Sequence, residues 1–139
     1  MTDRGFEHFD HVADIGVRGF GPTMADAFEQ AALALTAVLV EPATVRPTTE
    51  VAIACSAPDA EILLVDWLNA VVYEMATRGL VFGAFDVHID GGQLTAAARG
   101  EPVDAGRHAP AVEVKGATMT ELSVHRDGHR WIAQCVVDV

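Results

Sequence analysis

The chain has 139 residues, half of them hydrophobic, enough for one domain with a real core; at about 150 residues roughly 70% of the unfolded surface is buried. Twenty acidic against nine basic residues leave a net charge of −11. This excludes a direct nucleic-acid binder that relies on a basic face to displace counterions from phosphates. The most apolar run, Ala27 to Val40, is about 14 residues long and carries Glu29 and Gln30, whereas a membrane span needs about 20.

The opening residues, MTDRGFEHFD, include acids and lack the apolar h-region of a signal peptide, so a soluble, cytoplasmic protein is expected. Phe6 to Phe20 reads as two short strands around a polar bend holding Asp10, His11 and Asp14. Thr23 followed by Asp26 marks a helix start. Met24, Phe28, Ala31, Leu35 and Val38 then recur on one face, and Pro42 stops the helix. Glu50 to Cys55 alternates as a half-buried strand. Ser56-Ala57-Pro58-Asp59 starts a second helix, with Pro58 suited to its first position. That helix is apolar on nearly every side and is expected to be the central buried one, ending at Arg78-Gly79.

The remainder reads as β. Val81 to Ile89 and Gln93 to Arg99 flank the turn Asp90-Gly91-Gly92. Ala111 to His125 and Arg130 to Val137 flank Arg126-Asp127-Gly128-His129. Between these hairpins lies a polar loop, Gly100 to Pro110. Two helices, several hairpins and no βα alternation predict an α+β fold. It is a single two-layer domain over 1–139, with two main helices on a mostly antiparallel sheet. Cys55 and Cys135 sit in apolar contexts and read as buried thiols.

Candidate chemistry is sparse. There is no nucleophile elbow, phosphate-binding loop or zinc-type Cys/His spacing. His8 and His11 fall on opposite faces of a strand, which disfavours a shared metal. Asp66 reads as a solvent-facing acid and Lys115, the single lysine, as a snorkelling surface residue. The last strand brings Asp138 and the Val139 α-carboxylate side by side. Two carboxylates about 4 Å apart repel by roughly 4 kcal/mol at an effective dielectric near 20, so they call for a cation, a proton or a basic side chain. With Asp14 alongside, the set would be all-oxygen and suit a hard cation; spacing alone does not establish that the three converge.

Taken together, FEHFDHVADIGVRGFG, AFEQAALAL, LLVDWLN, ARGEPVDAGRH, EVKGAT and the terminal VVDV resemble the archease family along nearly the whole chain. The resemblance implies an activating cofactor, not itself an enzyme, of the GTP-dependent tRNA-splicing RNA ligase. It would promote guanylylation of the ligase histidine and repeated turnover, without taking RNA as substrate. It further implies a divalent cation, Ca²⁺ first and Mg²⁺ second, on Asp14, Asp138 and Val139. Lys115 and the Glu101, Arg107 and His108 loop match family motifs without an assigned role. Two departures are visible: Val12 replaces a common Thr, and Met119 and Thr120 replace an aromatic and a His after the lysine. Two alternatives remain, a chaperone-like binding module that modulates another RNA-modifying enzyme, its cation purely structural, and a small metal-dependent hydrolase. Oligomeric state and docking face are not legible.

Overall fold

A computed structural model describes residues 4–11, 14–108 and 112–139. In chain order the strands and helices are β1 (Gly5–His11), β2 (Asp14–Gly21), α1 (Met24–Leu39), β3 (Thr49–Ser56), α2 (Ala60–Arg78), β4 (Leu80–Asp90), β5 (Gln93–Pro102), α3 (Ala105–His108), β6 (Gly116–Ala117), β7 (Ser123–Asp127) and β8 (Arg130–Asp138). A 3-10 turn over Pro42–Thr44 follows α1. The fold is α+β and its strand pairs are antiparallel, as expected. The strands form two sheets rather than one: a five-stranded sheet in the order β1-β2-β8-β6, with β7 also on β8, and a three-stranded sheet β3-β5-β4.

α1 lies between the two sheets, against β2 and β8 on one side and β4 on the other. Its N-cap is Thr23, whose side chain accepts from the Asp26 N–H. Ala27, Ala31 and Ala34 let the helix come close. Gly19 of β2 completes the fit: a Cβ there would stand 2.1 Å from Ala31 N and 2.3 Å from Ala27 O. Glu29 ties the helix to the second sheet, its buried carboxylate accepting from Val87 N at 2.8 Å on the edge strand β4. Burial pushes this carboxyl's pKa up, while Val87 N–H and Arg4 oppose the shift.

This placement corrects the expectation that the second helix is the central one. α1 buries nine of its 16 residues and α2 seven of 19, with Tyr73 on α2 65% exposed. Small side chains, rather than a continuous apolar surface, let α1 fit between two sheets. α2 is anchored by Trp67, fully buried, whose Nε1–H donates to Phe28 O of α1 at 3.0 Å. Its N-cap is Asp59, accepting from Ile62 N at 2.8 Å, so Pro58 precedes the helix instead of opening it. Gly79 ends it in the left-handed conformation, at φ 65°.

The expected strand from Ala111 to His125 is also corrected. Ala111 lies outside the described residues, and the remainder holds only β6 and β7, separated by a turn in which Glu121 takes φ 56°. Both pieces pair with β8, β6 at Val137 and Asp138 and β7 from Gln134 back to Arg130. No helix is long and apolar enough to cross a membrane among the described residues.

Candidate functional site

β1 and β2 form a hairpin in which His11 is opposite Asp14; Val12 and Ala13, between them, lie outside the described residues. β2 pairs in turn with β8, setting Ile15 opposite Val137. Continued by one residue, this register sets Asp14, the first residue of β2, across from Asp138, the last of β8. Directly opposed residues of antiparallel strands project to the same face, with Cβ atoms about 4.5–5.5 Å apart. The two acids therefore share one end of one sheet face.

Asp138 is exposed and its carbonyl accepts from Lys115 N at 2.8 Å, which fixes the end of β8. The Val139 side chain is partly buried and packs on the core. Neither Asp14 nor Asp138 takes part in a salt bridge among the described residues. The Nδ1 of His11, opposite Asp14 in the ladder, is buried and has no hydrogen-bond partner among the described residues. Two carboxylates at this end of the face, with no salt bridge among the described residues, are oxygen donors of the kind a hard cation takes. Among the described residues no three His, Cys, Asp or Glu side chains form a metal-holding group. A third donor would have to come from the main chain.

A second cluster forms where a polar loop was expected. Gly100, Glu101 and Pro102 extend β5, and α3 folds back over Glu101. Glu101 Oε2 accepts from Arg46 N at 2.7 Å and from His108 Nε2 at 3.1 Å, and Oε1 pairs with Arg107. His108 Nδ1 accepts from Asp104 N at 2.8 Å, leaving the Nε2–H to donate to Glu101. These donors, led by Arg46 N–H and Arg107, hold the Glu101 pKa down at about 2. The cluster is internally satisfied and clamps the segment after β5 to the segment after α1. Reading the loop as polar missed the burial of Glu101 and His108. The signal was the alternation of Ala98 and Gly100, which carries the strand on past Arg99.

The remaining candidates separate as expected. His8 Nε2 contacts Ala34 O at 2.7 Å, toward α1 and away from the His11 face. Asp66 and Lys115 are exposed. Cys55 and Cys135 are free thiols; Cys135 is buried as expected, and burial drives its pKa up to about 12, whereas Cys55, expected to be buried, is only partly so. An apolar groove of about 330 Å³ lies elsewhere, between the end of α2, the start of β4 and Val112–Val114.

Comparison with known proteins places this geometry in context. A model described as the Archease protein family (MTH1598/TM1083) matches residues 6–139. A "Protein archease" of Pyrococcus furiosus is 42% identical over 142 residues, covering 98% of this chain and 99% of that protein. Another from Methanosarcina barkeri is 34% identical, covering 100% of both. Among solved structures, the solution structure of Methanobacterium thermoautotrophicum protein 1598 gives a TM-score of 0.85 at 31% identity, covering 97% of this chain and 99% of that one. A Thermotoga maritima crystal structure, of an archease described as a possible chaperone, gives 0.60 at 20% identity with 96% of each chain covered, and shares the fold.

Proposed function

The chain belongs to the archease family, and from that membership we propose that it activates the GTP-dependent tRNA-splicing RNA ligase as an accessory protein. In this role it promotes guanylylation of the ligase and repeated turnover in the cytoplasm, and it performs no chemistry of its own. The observation that supports the metal-dependent form of this role is the β2–β8 register, which pairs Ile15 with Val137 and, continued by one residue, would set Asp14 across from Asp138, neither acid being in a salt bridge among the described residues. Asp14, Asp138 and Val139, the residues that the family resemblance implies, would hold a divalent cation through oxygen donors. Ca²⁺ suits such an open set best, since it tolerates irregular geometry, and Mg²⁺ is the second choice. The bound cation would offset phosphate charge and help orient the nucleotide during guanylyl transfer.

The chain's own residues supply the frame. The β1–β2 hairpin fixes Asp14, and the Lys115 N–H bond fixes Asp138 from the opposite edge of β8. Low affinity for RNA follows from the net charge of −11, so RNA would be held by the ligase. The words "possible chaperone" attached to the Thermotoga maritima structure favour a second reading, a folding or binding module whose cation is structural.

Multiple-turnover RNA joining separates the two. With ligase, GTP and excess RNA ends, the activator role predicts product well beyond one equivalent per ligase only when this protein is present. A chaperone role predicts instead more active ligase after refolding, with unchanged turnover per active enzyme. Product that stays near one equivalent in both arms contradicts the activator role.

A further inference from the structure

The sheet β3-β5-β4 has two edges, and the fold closes one of them. On β4 the Glu29 carboxylate accepts from Val87 N at 2.8 Å. The turn after α1 lies so near the same strand that a Cβ on Gly83 would stand 2.7 Å from Pro42 O. β3 is the other edge. The Val87 N–H points away from β5, so Val87 and Ala96 are a non-hydrogen-bonded pair, and Ala96 bonds on its other side to Ile53 of β3. By alternation Val51 and Cys55 also bond to β5, while Glu50, Ala52, Ala54 and Ser56 turn their N–H and C=O groups outward. Among the described residues no main-chain group bonds to them from outside the sheet. All four side chains are exposed, and Ala52, Ala54 and Ser56 are small enough to leave the main chain accessible. β3 also lacks the lysine and proline that commonly block an open edge.

The Cys55 end of this edge is acidic. Cys55 alternates with Ala54 and Ser56 onto the helix side of β3, where burial and then the charge of Asp66 on α2 push its thiol pKa up. Asp59 caps the start of α2 just beyond. Neither Asp59 nor Asp66 takes part in a salt bridge among the described residues. Arg99, the basic residue of the β3–β5 pair, is bound to Glu50 toward the opposite end of the strand.

We infer that β3 accepts one further strand, an extended segment of the ligase that carries a lysine or arginine opposite Cys55. The inference rests on the ligase reading above. Main-chain bonds to the outward residues supply affinity whatever the sequence of the segment, and side chains supply the choice. Directly opposed residues project to the same face, so the residue across from Cys55 emerges on the side of Asp66. A second copy of this chain is the poorer occupant. β3 laid on β3 would bring a second Asp66 and a second net charge of −11 to one seam, where like charges oppose association.

The test is binding of a purified ligase to the wild type, Ala54→Pro, Asp66→Lys and Arg78→Ala, with melting curves to verify folding. Proline at 54 removes an outward N–H and leaves the ladder to β5 intact, as edge strands allow. Arg78 closes α2 about 18 Å from Asp66 at about 1.5 Å per residue. Hydrogen exchange of the wild type reads the same edge without any substitution, and so serves if Ala54→Pro does not fold. Ala54→Pro and Asp66→Lys each weaken binding tenfold or more, the second most at low salt, while Arg78→Ala stays within twofold. The Ala52 and Ala54 amides exchange at least tenfold more slowly once the ligase is bound. Unchanged affinity in the folded variants, or unchanged exchange at these amides, overturns the added strand and leaves the ligase reading standing. Failure of the wild type to bind overturns the ligase reading and the inference together. Protection of the same amides on concentrating the protein without ligase assigns the edge to a second copy and overturns the inference.

Discussion

Glu101 shows how one buried acid organises a segment that reads as a loop. Its carboxylate is held ionised by Arg46 N–H, Arg107 and His108, with a pKa of about 2 against an ordinary 4.5. A lowered pKa means that the unfolded chain takes up the proton first. The stabilisation is therefore present above about pH 4.5 and is lost as pH falls toward 2. Melting temperatures measured across that window should fall more steeply for the wild type than for Glu101→Gln, which lacks the titrating group. Cys135 gives a second residue-scale expectation. A thiol whose pKa lies near 12 is almost entirely protonated at pH 8, so native protein should resist alkylation there, and unfolded protein should label quickly. Gly19 gives a third: Gly19→Ala drives a methyl into the α1 backbone and should cost about 3 kcal/mol in denaturant unfolding, the upper end of overpacking. Gly106→Ala, where the nearest atom is Asp104 Oδ1 at 3.4 Å, should be close to neutral. The Glu101 bond to Arg46 N was not legible in the sequence, because it joins segments 55 residues apart.

At the scale of elements, local signals did well and burial did less well. Thr23 with Asp26, Asp59 before Ile62, and Arg78-Gly79 are short-range chemistry, and they mark the helix ends. Asp59→Ala should cost about 1 kcal/mol by thermal unfolding, the usual worth of an N-cap. Which helix is central is a long-range property. Hydropathy favours α2, yet the alanines of α1 and Gly19 opposite them are what allow insertion between two sheets. The broken strand after Pro110 has a similar cause. Its alternation fits a single strand, but the β7–β8 hairpin already occupies the ladder from Arg130 to Gln134, leaving β6 only Val137 and Asp138. The turn at Glu121 absorbs the residues in between.

For the whole molecule, the two acids were visible in the sequence, but the strand pairing beside them was not. Asp14 and Asp138 are far apart in the sequence, and the antiparallel pairing of β2 with β8 sets their neighbours Ile15 and Val137 opposite each other. The family resemblance implies Asp14, Asp138 and Val139 as one set of ligands, and among the described residues no three His, Cys, Asp or Glu side chains form such a group. Calorimetry with Ca²⁺ should show binding that is lost in Asp138→Asn and in a variant extended by several residues beyond Val139. The central claim is metal-dependent activation, and the most direct measurement is the transfer of labelled guanylate from GTP to the ligase. Substoichiometric wild-type protein should accelerate labelling, and Asp14→Asn and Asp138→Asn, shown to be folded, should lose at least tenfold of that acceleration. Acceleration unchanged in both variants, or absent with the wild type, would contradict it.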